Sequence, residues 1–201
     1  MPNYSLDAFR RNTERVRSSS ARVSSGSQNL ATAVDDFNVF FQELESLDDK
    51  LCVNVRKLLA TKFFNHWYSS LILVEAGLMV DAILCERSSI ETLAYHWLVC
   101  LDRTAAENYD TEKPVRPVDV RRRLESLGAD ISYVRSSYSF GSSVGHVGRT
   151  SERFHLEMAT DVRGTLLIGG QFSQRDCEHW VSYLPALLYL FREPMMTTTS
   201  S

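Results

Sequence analysis

Residues 70–102, reading SLILVEAGLMVDAILCERSSIETLAYHWLVCLD, form one long apolar run of helical period that carries Arg87 and Glu91 inside its own hydrophobic stripe. At about 100° per residue and with Arg87 as zero, Glu91 falls near 40°, Val80 and Leu98 near 20°, and Leu84 near 60°. The polar residues Asp81, Cys85, Ser88, Thr92 and His96 fall on the other side. Both charges thus point the way the core residues point. They require partners, because an unpaired buried charge costs several kcal/mol. A chain built around such a segment packs helix on helix.

The 201 residues, 44% of them hydrophobic, are enough for one well-packed domain. A net charge of −3 and a pI near 6.0 give no global reason to bind nucleic acid or an anionic membrane, so any such partner must be met by a local patch. Cys52, Cys85, Cys100 and Cys177 show neither CxxC pairing nor disulfide-framework density, and read as reduced thiols of a cytoplasmic protein. Cys85 and Cys100 share a helix about 22 Å apart, which excludes a bond between them. No metal set and no cofactor motif is expected. Met1–Ser25 lacks the apolar segment of a signal peptide. The greasiest stretch, Leu71–Leu84, is broken by Glu75, Gly77 and Asp81, short of the roughly 20 residues that span a bilayer.

Three regions follow from the pattern. Residues 1–27 form an arginine-rich polar leader with weak helical amphipathicity over 5–23. Residues 28–193 form a helical bundle, and residues 194–201 have little to bury and read as a disordered tail. Within the bundle, helical period runs through Gln28–Leu47, then from Asp48 to a stop at Gly77, then from about Leu78 to Tyr109. Pro114 and Pro117 mark a linker over 110–117. A short helix over Val118–Leu127 closes at Gly128, another spans Ile131 to about Val147, and a last one spans Ser173–Glu193 with Pro185 inside it. Residues 148–170 are less regular, and no hairpin signal appears.

A second constellation, Tyr138, Ser142, Gly145 and His146, lies on one helical face with Arg135 a turn earlier. Gly141 and Gly145 leave room for another backbone, and the central helix is the obvious neighbour. Tyrosine, serine and imidazole groups there would satisfy Arg87 and Glu91 in a shared polar network. A structural ion pair and a functional pocket are both open readings of that centre.

Glu75-Ala76-Gly77 at a helix end, Arg87-Ser88-Ser89-Ile90-Glu91 on the next helix, and the later Tyr138/Ser142/His146 helix end together resemble the HEPN-like superfamily of bacterial helical proteins over roughly residues 50–150. Within that superfamily the chain looks like a group several of whose relatives are thought to act in phage defence or toxin systems. The resemblance implies an all-α, single-domain, HEPN-like bundle, frequent homodimerisation and an association with RNA. Active members cleave RNA without a metal, using an arginine and, four to six residues later, a histidine. The spacing match here is Arg149 with His155. Under that reading His146 transfers the proton, Arg87 or Arg149 stabilises the phosphate, and Tyr138 and Glu91 orient them.

Lys113, Arg116, Arg121, Arg122 and Arg123 form the densest run of positive charge and are the candidate phosphate contacts. No aromatic residue interleaves them. Phosphate-loop, nucleophile-elbow and HExxH templates are absent, and Cys177-Glu178-His179 cannot converge on one metal from adjacent helical positions. Two functions therefore stand. One is an RNA-associated protein acting as a metal-independent ribonuclease or defence component. The other is a non-catalytic interaction or dimerisation protein whose polar network is structural. Neither involves a membrane.

Overall fold

The computed structural model describes residues 27–109, 115–145, 174–192 and 194, the backbone of 156–158 and 164–166, and scattered residues between Asp7 and Ser18. The described leader residues are helical. The fold is all-α: α1 (Gln28–Glu43), a 3-10 turn (Leu44–Ser46), α2 (Lys50–Glu75), α3 (Met79–Leu101), α4 (Arg103–Glu107), α5 (Pro117–Ser126), α6 (Ser132–Gly145) and α7 (Gln174–Leu190). A short antiparallel pair, β1 (Leu156–Met158) and β2 (Gly164–Leu166), is appended, with Glu157 opposite Thr165. The sequence carries no hairpin signal there because three residues per strand are too few for an alternation pattern to register.

Each boundary has a local cause. The Ser27 hydroxyl accepts from the Leu30 amide at 3.3 Å and the Asp49 carboxylate from the Cys52 amide at 3.3 Å, capping α1 and α2. Gly77 (φ 73°) and Gly128 (φ 83°) occupy the left-handed region that only glycine enters cheaply. The Leu78 amide reaches the Leu73 carbonyl and the Gly77 amide the Val74 carbonyl, the paired bonds of a Schellman stop, and the same pattern recurs at Gly128. The central helix does not continue to Tyr109. Asp102 adopts an extended backbone and its carboxylate accepts from the Thr104 amide at 3.0 Å, ending α3 and starting α4.

The helix α3 is wrapped on nearly all sides. It packs most extensively on α2, then on α6 and α5, while α7 closes the bundle against α1 and α2. Phe37, Phe63 and Phe191 form the aromatic centre, with Phe63 and Phe191 centroids 4.4 Å apart. Two buried indoles tie α7 down: Trp67 donates to the Leu184 carbonyl and Trp97 to the Leu190 carbonyl, each at 2.9 Å. The second bond satisfies a last-turn carbonyl that has no partner within its own helix. Among the described residues no helix is long and apolar enough to cross a membrane.

Wrapping changes which face of α3 is the core. Ile83, Ile90, Leu93 and Trp97 are sealed, and their stripe is centred about 80° away from Arg87. The face expected to be polar is also buried in part: Thr92 and His96 are both sealed, His96 beneath Arg56 of α2. Arg87 and Glu91 sit at the stripe's edge and are half-exposed, with side chains 28% and 33% accessible. The carboxyl sealed in the core among the described residues is their neighbour Glu86.

Candidate functional site

Arg87, Glu91 and Tyr138 converge where α6 crosses α3. The Arg87 Nε donates to Glu91 Oε1 at 3.3 Å, one helical turn away, and an Arg87 terminal nitrogen donates to the Tyr138 hydroxyl at 2.9 Å. Gly141 makes the crossing close, because a Cβ there would stand 3.0 Å from the Arg87 Cβ. The guanidinium of Arg121, from α5, lies 4.1 Å from the centre of the Tyr138 ring, and that of Arg87 lies 4.5 Å from it. One aromatic ring thus holds two cations by its electron-rich faces.

Of these groups Glu91, Arg121 and Tyr138 line a cleft of about 430 Å3 between α2, α3, α5 and α6. The same cleft receives Lys62 and His66 from α2. Burial, reinforced by the nearby Lys62 charge and opposed by Glu91, holds the His66 imidazole below its ordinary pKa. It is therefore neutral near pH 7, with a lone pair free to accept a proton. Along α3 the lining changes within one turn from Glu91 to Tyr95, whose hydroxyl donates to the Ala105 carbonyl at 3.1 Å and whose ring packs 5.6 Å from that of Tyr109. The cleft thus combines the cations Lys62 and Arg121 and the Glu91 carboxylate with the rings of Tyr95, Tyr109 and Tyr138. Among the described residues neither Lys62 nor Arg121 has a carboxylate partner.

The arginine run divides in the same way. Arg116 is held by Asp119 at 2.7 Å, Arg122 lies 3.9 Å from the same carboxylate, and Arg123 pairs with Asp102 at 2.9 Å. Those charges are spent on local acids, whereas Arg121 turns inward. Lys113, His146, Arg149 and His155 lie outside the described residues. Among the described residues no set of His, Cys, Asp and Glu is grouped to hold a metal ion.

Sequence reasoning missed Lys62 and His66. Their spacing of four residues places them on one helical face, but nothing in the sequence says that this face meets Glu91. It also missed Glu86, which sits among Ile83, Ile90 and Trp97 by helical phase. That carboxyl accepts from the Tyr183 hydroxyl at 2.7 Å, and the Tyr133 and Tyr183 hydroxyls bond each other. Burial pushes the Glu86 pKa up to about 7 against the opposing Tyr183 bond. Burial likewise raises Tyr133 to about 12, so this chain of hydroxyls stays protonated at neutral pH.

No protein-family model, curated protein or solved structure matches the chain.

Proposed function

We propose that this chain is an RNA-associated helical protein, of the HEPN-like kind its motifs resemble, that takes a single-stranded phosphodiester into the Arg121–Tyr138 cleft. The carrying observation is a pair of cations that have no acid partner among the described residues, Lys62 and Arg121, brought into one concave site beside the Arg87–Tyr138 contact. Cations without acid partners attract phosphate oxygens, and the adjoining tyrosine rings offer faces on which an unstacked base can rest. Neutral His66 and the family-derived candidate His146 are the groups that would move protons in metal-independent cleavage, with Arg87 or the family-derived Arg149 stabilising the phosphate.

Binding of a labelled single-stranded RNA, followed by fluorescence anisotropy, tests the reading. Affinity should fall steeply with salt, and Arg121→Gln should weaken it at least tenfold while Arg122→Gln, already shared with Asp119, changes it little. Equal binding by Arg121→Gln and the parent, or no RNA binding at low salt, would overturn it. Incubation of the bound RNA with EDTA then reports whether cleavage accompanies binding. A second reading, a phage-defence or other interaction protein in which the network only braces α3 against α6, is favoured by one fact: both Arg87 contacts are already satisfied within the chain. It predicts that Tyr138→Phe lowers stability in a protein that binds no RNA.

A further inference from the structure

A second, open groove of about 1040 Å3, sharing no lining residue with the Arg121 cleft among the described residues, is bordered by α1, α2, α7 and Tyr133 of α6. Its floor is Phe40 and Leu44, both buried, and its rim is Leu47 and Tyr189, each 45% exposed. Ala186 and Leu190 complete an apolar wall. Among the described lining residues the one carboxylate is Glu43, and that group is occupied by Arg192 at 3.3 Å.

Arg56 also opens onto this groove, and its environment is unusual. Its Nε donates to His96 Nε2 at 3.2 Å. A nitrogen that accepts cannot carry a proton, so the His96 proton resides on Nδ1 and the ring is neutral. Stacking on Phe191 at 4.0 Å and complete burial hold that ring in place. His96 therefore orients the guanidinium without neutralising it. No carboxylate pairs with Arg56 among the described residues. A half-buried cation, oriented through its Nε and lining an apolar trough, matches an amphiphilic anion. The planar fork suits a carboxylate, and the open, largely aliphatic trough suits a flexible hydrocarbon tail.

We infer that this groove is a binding site for an aliphatic monocarboxylate, its head group on Arg56 and its chain over Phe40, Leu44 and Leu190. The site is independent of the RNA-binding cleft.

Isothermal titration with decanoate below its micelle concentration tests this, with 1-decanol and acetate as the tail-only and head-only controls. Decanoate should bind saturably and at least tenfold more tightly than either control, since a charge-assisted hydrogen bond adds about that factor. Arg56→Gln, which retains an N–H for His96, should lower decanoate affinity to that of 1-decanol and leave 1-decanol unchanged. Leu47→Glu, at the exposed rim and outside the helical core, should weaken decanoate at least tenfold in a fully folded protein. Absence of saturable decanoate binding to the parent, equal affinity for decanoate and 1-decanol, or undiminished decanoate binding by either variant would overturn the assignment. None of these outcomes bears on RNA binding at the other cleft.

Discussion

Replacing Glu86 with glutamine isolates the one buried carboxyl among the described residues, which has no cationic partner there. Its pKa rises from an ordinary 4.5 to about 7 because burial disfavours the charged form. The folded protein therefore holds a proton that the unfolded chain releases between those two values. Stability falls as pH rises through that window, and the loss is complete above the folded value. A shift of this size, at about 1.4 kcal/mol per unit, corresponds to roughly 3 kcal/mol. Glutamine keeps an oxygen to accept from Tyr183 and cannot ionise. Glu86→Gln should therefore match the parent within about 1 kcal/mol near pH 4.5 and exceed it by about 3 kcal/mol at pH 8. The His96 ring, held well below its ordinary pKa by burial and then by Arg56, disfavours acid in both proteins and cancels in the difference. Urea unfolding at the two pH values measures the result. A difference that does not change with pH, or a variant less stable than the parent at pH 8, would refute the reasoning.

Two further substitutions probe the frame around the cleft. Gly141→Ala places a methyl 3.0 Å from the Arg87 Cβ at a close helix crossing, and should lower stability by about 1–3 kcal/mol in a thermal melt despite alanine's better helix propensity. Trp67→Phe removes the bond to the Leu184 carbonyl and opens space beside it, and should cost about 2–4 kcal/mol in urea unfolding, more than the same change at an exposed ring.

Much of the fold is legible because its signals are local. Gly77 and Gly128 stop helices through their own backbone freedom, and Asp49 caps through its own side chain, so the helix order follows from the sequence. Gly141 could also be read, as a gap into which the central helix fits. The burial of α3 could not be read in the same way. Phase analysis from Arg87 placed the core on the Val80/Leu98 side, but a helix touched by α2, α5, α6 and α7 has almost no solvent face to define a stripe. His96 and Thr92 consequently looked exposed, and Glu86 passed unnoticed among Ile83, Ile90 and Trp97. The candidate site was half legible. Arg87, Glu91 and Tyr138 share a helix-crossing pattern, whereas Lys62 and His66 enter only because α2 runs antiparallel beside α3. The arginine run could be seen, but its division could not: Asp102, distant in sequence, takes Arg123 and leaves Arg121 to Tyr138.

Ultraviolet cross-linking of a bound uridine-rich single-stranded RNA, followed by mass spectrometry of the digested protein, locates the contact most directly. Adducts should appear on the peptides containing Tyr95, Tyr109 or Tyr138, which line the cleft with Lys62 and Arg121. Their yield should fall in Arg121→Gln. Adducts confined to other faces of the bundle, or an unchanged yield on those peptides in Arg121→Gln, would contradict the assignment of the cleft as the RNA site.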